Sequence, residues 1–272
     1  IYEISRAQRA GDTRKSYSQD NTFHMKHLTI CCSFLRRGGL LAGLILALTL
    51  PAAGQGYESR VAEALESRDI ARQRAILAEW EKAVPGDVEL YIARYNYYIN
   101  RGDQQSDSAI ACIDEAIALY PARLDLWFGK AYYLGQIGRW DAFADAIVAT
   151  LDHSEAIGHR WQFPNYDGDG EAIVTEGVQD YMVDLFSQID NPEHLTAADS
   201  AMALRLRRIA KRTAQLFPSN VQALNFLAFS YTLLGDYSKA LRFLKRAEAI
   251  DPDDPVIRQN IADLRERVGA GH

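Results

Sequence analysis

Cysteine is nearly absent from this 272-residue chain, which has only Cys31, Cys32 and Cys112. The signatures of common enzyme chemistry are missing as well: there is no G-x-S-x-G, no H-E-x-x-H and no glycine loop able to cradle a phosphate. His153, His159 and His194 are scattered without the spacing that metal ligands repeat. Cys112 sits inside the helix-patterned stretch SAIACIDEAIALY, a position suited to packing rather than attack. These absences predict a protein that is not an enzyme and has no catalytic residues.

The chain also lacks an apolar run long enough to span a bilayer, which takes about 20 residues. The longest, GGLLAGLILALTL, has thirteen. It follows Lys26, Arg36 and Arg37 and precedes PAAGQG, the order of a secretory signal peptide. Residues 25–54 are therefore expected to be a signal peptide starting at Met25 and cleaved after Gly54. Residues 1–24, polar and without apolar periodicity, are expected not to belong to the native protein. The expected product is exported, periplasmic or secreted, with no stable membrane insertion after cleavage. Beyond residue 54 only Cys112 remains, which excludes an intramolecular disulfide. The same stretch carries 23 Lys and Arg against 33 Asp and Glu, a formal charge of −10, which argues against a nucleic-acid partner.

With 48% hydrophobic and 24% charged residues, the chain can build a substantial core. The strongest pattern is VQALNFLAFSYTLLGDYSKALRFLKRAEAIDP. Leu224, Leu227, Ala228 and Tyr231 recur at helical spacing, Gly235 marks a turn, and Ala240, Leu244 and Ala247 form a second helical face that ends at Pro252. Pro218 and Pro252 are 34 residues apart, and Pro85 and Pro121 are 36 apart. The unit from Glu89 to Pro121 places Tyr91, Tyr95, Tyr98, Gly102, Ala109, Ile113 and Ala116 in the same register, with extra residues at its turn. A further unit starts at Leu124 with Trp127, Ala131, Leu134, Gly138 and Trp140, but Phe143 takes the place of a small residue and no closing proline follows. These aromatics are expected to be core, with Tyr57 to Val84 as an opening helix pair and Pro255 to Val268 as a closing helix.

These residues resemble the tetratricopeptide repeat (TPR), a helix pair of 34 residues. The resemblance implies an all-α fold, a right-handed α-solenoid of antiparallel helix pairs over residues 55–268 with a C-terminal capping helix. LDLWFGKAYYLGQIGRWDAF, RWQF, VQDY and the last repeat together are similar to exported bacterial proteins of this family, which implies protein binding and no more defined activity. In the family the first helix of each pair lines a concave groove. Carried to matching positions, the lining is Ile92, Asn96 and Asn100, then Phe128, Tyr132 and Gln136, then Asn225, Phe229 and Leu233. None is basic, which departs from members that clamp a terminal carboxylate. The resemblance thus implies a non-enzymatic scaffold holding a protein or peptide. A purely structural subunit of an envelope assembly is the other scaffold reading.

The period breaks in the irregular insertion 153–170. Its end, NYDGDGEAIVTE, offers Asn165, Asp167, Asp169 and Glu176 at calcium-loop spacing with Gly170 at the sixth place. Gly158 and Pro164, however, break any entering helix. The simpler expectation is a turn in which Asp169 caps a helix starting near Glu171, with Trp161 and Phe163 tucked against the helices and no cofactor required. Residues 161–204 hold nine acids and no base, while Arg205 to Arg212 and Lys239 to Arg246 are strongly basic. Neighbouring helices are expected to pair these charges.

Overall fold

The computed structural model describes residues 55–269 except 165, 191 and 193. The upstream segment and the signal peptide lie outside the described residues. Among the described residues there are eleven α-helices, one 3-10 turn (Asp103–Gln105) and a single isolated bridge, Phe163 to Tyr166. They form two compact units, 55–130 and 131–269. Each is built as a solenoid is, from consecutive helix pairs joined by short turns, and the all-α fold class is the one expected.

The unit 55–130 contains α1 (Gln55–Glu66), α2 (Ile70–Ala83), α3 (Val88–Ile99), α4 (Ser106–Leu119) and the start of α5 (Leu124–Gln136). Its core gathers Leu77, Trp80, Leu90 and Tyr97, with Tyr57 stacked on the Trp80 ring at 5.6 Å. Burying side chains of this size contributes about 1.5–3 kcal/mol each. Trp80 Nε1 donates to Asp87 Oδ2 (3.0 Å) while Asp87 Oδ1 accepts from Glu89 N (3.1 Å), so one carboxylate caps α3 and satisfies the buried indole. Tyr95 Oη donates to the Gly129 carbonyl (2.8 Å), linking one pair to the next. The extra turn residues after α3 form the 3-10 turn, entered through Gly102 at φ +81°. Cys112 is buried, and burial pushes its thiol pKa up to about 11. It is thus a packing residue, as its position within a helix suggested.

The unit 131–269 continues with α6 (Trp140–Ala156), α7 (Gly170–Ser187), α8 (Ala197–Leu216), α9 (Val221–Leu233), α10 (Tyr237–Ile250) and α11 (Pro255–Gly269). Phe143, which broke the small-residue pattern, is accommodated by Gly135: a Cβ at 135 would lie 3.3 Å from its ring. The ring is buried edge-on against Tyr181 at 5.5 Å, so α6 and α7 meet through a large aromatic contact instead of a close backbone approach. Helix α8 buries Leu206, Ile209, Ala210 and Ala214 and packs against α6, α7 and α9. Gly235 ends the first helix of the last pair at φ +79°, and Asp236 caps α10 by accepting from Lys239 N (3.1 Å). On α11 only Ile257, Ile261 and Leu264 are buried, one apolar stripe on an otherwise polar closing helix.

Three arginines of the basic cluster of α8 are paired, though not with the acids of 161–204. Arg205 meets Asp141 (2.7 Å), Arg208 meets Asp145, and Arg212 meets both Asp152 and Glu155 (2.5 Å each). Numbers rise together on the two helices, so α6 and α8 run parallel, as second helices of successive pairs do. The pairing partner is set by which helix lies alongside α8, and that helix is α6. Each exposed pair contributes less than about 1 kcal/mol, but four in one row fix the register.

The α7–α8 connection is closed by Asp199. Its Oδ1 accepts from Asp190 N (3.0 Å) and its Oδ2 from Thr196 N (3.0 Å) and Thr196 Oγ1 (2.8 Å), while Asp199 N donates back to Thr196 Oγ1 (3.1 Å). Donation from the Thr196 backbone and hydroxyl, with a smaller contribution from Asp190, holds the Asp199 carboxyl pKa below its ordinary value. The stabilisation is present above the ordinary carboxylate pKa of about 4 and is lost as pH falls through the lower folded value. The protection factors of the Asp190 and Thr196 amides should therefore fall on acidification below about pH 4, and Asp199→Ala should show the lower protection already at pH 7.

Candidate functional site

The irregular segment is held by a small buried polar node. Trp161 Nε1 donates to Ser154 Oγ (2.9 Å), and the same hydroxyl lies 2.9 Å from His159 Nδ1. An indole N–H can only donate, so the serine oxygen accepts from it and its own proton is available to the imidazole. The His159 ring also lies 5.1 Å from Phe217, and the His153 ring 5.4 Å from Trp161. A serine beside a histidine suggests a nucleophile and its base, but Ser154 is 0% exposed. It can meet no substrate, and the pair acts as a fastening.

His159 takes a left-handed backbone (φ +59°) directly after Gly158, ending α6 with its N–H on the Ser154 carbonyl (2.8 Å). Its own carbonyl is then pressed against the start of α7: a Cβ on Gly170 would sit 1.9 Å from His159 O. That contact explains the glycine at the sixth place of the calcium-like spacing. Asp169 caps α7 as expected, its Oδ1 accepting from Glu171 N (2.9 Å). Asp167 is exposed, Glu176 lies within α7, and Asn165 is outside the described residues. No group of three or more His, Cys, Asp or Glu is placed to hold a metal among the described residues. Trp161 and Phe163 are both half-buried, consistent with a tucked loop.

The residues expected to line a groove fall into both units. In 55–130, Ile92 and Asn96 are half-buried on α3, and Asn100 caps that helix, its Nδ2 donating to the Asn96 carbonyl (2.9 Å). Phe128 departs from the expectation. It continues the apolar stripe of Leu124 and Ala131 and is only 1% exposed, so it packs inward and cannot meet a partner in this structure. In 131–269, Tyr132 (39% exposed) and Gln136 stand outward on α5. On α9, Phe229 and Leu233 are half-buried. Asn225 also departs from the expectation: it is 8% exposed, with Oδ1 unpaired among the described residues, because it points into the packing of α9.

Sequence reasoning missed Phe186. It stands on α7 with its ring edge-on to Phe229 at 4.8 Å, so α7 lies beside α9. The signal was the spacing of Tyr181, Leu185 and Phe186, hidden by the lost repeat register. Also missed was Phe243, whose ring stacks on Tyr231 at 5.6 Å with an interplanar angle of 8°.

The last helix pair, α9 and α10, has the turn glycine, the small residues at 240 and 247 and the closing proline in their expected places, and a family model for the tetratricopeptide repeat matches residues 221–254. The chain carries a tetratricopeptide repeat. Such repeats generally mediate contacts between proteins. No curated protein matches the chain. Among solved structures it is similar to the TPR domain of P58(IPK), at 16% identity over 80% of this chain and 66% of that one, TM-score 0.32. It is also similar to MamA, at 14% identity over 75% of this chain and 94% of that one, TM-score 0.39. A third is a tetratricopeptide repeat protein from Parabacteroides merdae, at 14% identity over 79% of this chain and 75% of that one, TM-score 0.37.

The contact between Gly170 and His159 makes a direct prediction. Gly170→Ala should destabilise the unit by about 1–3 kcal/mol through overpacking against backbone. It should also red-shift the fluorescence of Trp161, read in a variant whose other tryptophans are replaced by phenylalanine.

Proposed function

We propose that the chain is a non-enzymatic interaction scaffold of the bacterial envelope, exported by the segment 25–54, which holds a peptide or partner protein on the first helices of its pairs. One observation carries this reading. Helices α7 and α9 lie side by side and present Phe186, Phe229 and Leu233, all half-buried, and neither helix contains a lysine or arginine. Half-exposed aromatic and aliphatic side chains on rigid helices are suited to anchoring an apolar side chain of a partner, and anchors of this kind carry most of an interface's energy. Neither of these two helices itself supplies a cation to a ligand recognised by its terminal carboxylate.

In this reading Asp167, Asp169 and Glu176 belong to a capping turn and the start of α7, and no cofactor is needed. Calorimetric titration of residues 55–272 with calcium should give no heat up to about 1 mM, a concentration that would populate even weak extracellular calcium modules. Heat with unit stoichiometry, abolished by Asp167→Asn, would instead establish the loop 165–176 as a calcium site.

Partner capture from the envelope fraction by residues 55–272, with the captured protein identified by mass spectrometry, tests the groove. Phe229→Ala and Tyr132→Ala should each weaken capture by about 2 kcal/mol, the loss typical of a hot-spot truncation, with helical circular dichroism unchanged. Equal capture by both variants would remove the groove from consideration. A partner retained at fixed stoichiometry through purification would favour a structural subunit of an assembly.

A further inference from the structure

The second helices of the pairs differ sharply in how their charge is neutralised. Along α6 and α8, Asp141, Asp145, Asp152 and Glu155 face Arg205, Arg208 and Arg212. The next second helix, α10, carries Lys239, Arg242, Lys245 and Arg246, and α8 adds Arg207 and Lys211. Of these six cations only Lys239 has an ion pair among the described residues, with Asp236 (2.6 Å). Charge of one sign has therefore accumulated on α8 and α10 without the acidic helix that balances it one step earlier.

The cations are organised around a stacked aromatic pair. Tyr231 and Phe243 lie nearly parallel. Arg207 stands over the Tyr231 ring at 5.4 Å and Lys239 at 5.5 Å, while Arg242 and Arg246 stand over the Phe243 ring at 5.3 and 5.7 Å. The rings attract the cations that lie within about 6 Å of their centroids, which restrains long side chains that would otherwise sample many rotamers. A guanidinium held against a ring still presents its outer N–H groups to solvent, and their fork geometry matches a carboxylate. The rings themselves are half-buried and offer apolar contact between the charges.

We propose that this face of α8 and α10, around Tyr231 and Phe243, is a second docking surface that receives an acidic, glutamate- and aspartate-rich segment of a partner protein. The occupant follows from charge complementarity: the neighbouring step of the same stack shows that α8 already accepts a row of carboxylates on its other edge, supplied by α6. An acidic segment laid on α10 repeats that arrangement with a partner in place of α6. The net charge of −10 beyond residue 54 opposes approach by extended polyanions, whereas a short acidic segment need meet only the local patch. The proposal rests on the reading of the chain as a scaffold but uses neither Phe186, Phe229 nor Leu233.

Fluorescence anisotropy with residues 55–272 and a labelled peptide of repeating Glu-Glu-Ser tests it, with the Gln-for-Glu peptide as control. The acidic peptide should bind and the control should not, and binding should fall steeply between about 50 and 300 mM salt. Arg242→Glu with Arg246→Glu should weaken it by about tenfold or more. Both positions are exposed, and an unchanged thermal midpoint confirms folding. Phe229→Ala should leave this binding unchanged, so failure of the groove and failure of this surface are read separately. Absence of peptide binding, or equal binding by the charge-reversed variant, overturns the proposal. So does tighter binding to phosphatidylglycerol vesicles or to single-stranded DNA than to the peptide.

Discussion

Helix α8 is the constraint on which residues 131–269 depend. No helix pair in this unit can bury its apolar face by itself, and α8 is the element against which three others place theirs. Its buried stripe of Leu206, Ile209, Ala210 and Ala214 is shared with α6, α7 and α9. Apolar contact is non-directional and would tolerate sliding by a turn. The row of arginine pairs with α6 removes that freedom, because a shift of one turn would move each guanidinium away from its carboxylate. Asp199 then fixes where α8 begins, tying its first turn to the end of the α7–α8 connection. Packing supplies the stability, and charge and capping choose among packings of similar energy.

The segment between α6 and α7 follows a different logic. Here the chain leaves the repeat, and backbone polar groups that helices would have satisfied must find other partners. It does so through a left-handed His159, the Ser154 hydroxyl shared by Trp161 and His159, and a glycine at 170 that lets two backbone segments touch. Of the residues that gave the segment the look of a metal loop, Asp169 and Gly170 are occupied in this closure, and Asp167 and Glu176 are exposed beside it. Acidic residues and glycines at regular spacing are what a tight capping turn requires as well, so spacing by itself does not separate the two.

Much of the fold was legible because it is periodic. The helices, the turn at Gly235, the closing helix and the cap at Asp169 all follow from local rules about spacing, left-handed backbone and orphaned amides. The candidate site was legible only in part, since its content is tertiary. Phe128 and Asn225 occupy lining positions by register, yet both are buried. Phe186 was hidden because the repeat to which α7 belongs has lost its signature. The basic run on α8 was visible, but its partners on α6 lie about sixty residues earlier in the chain, too far for any local pattern to couple them. Similarly, nothing in the sequence announces that Arg207, Tyr231 and Phe243 converge.

The ordering of charge along the second helices has a consequence for approach rather than for contact. From α6 through α8 to α10 the sign changes from acidic to basic, so this stack carries an electric moment along its length. A charged protein arriving within about a Debye length, near 10 Å at ordinary salt, is turned by that moment before any side chain meets. For the acidic segment proposed above, that moment would favour approach to the α10 end of the stack over the α6 end.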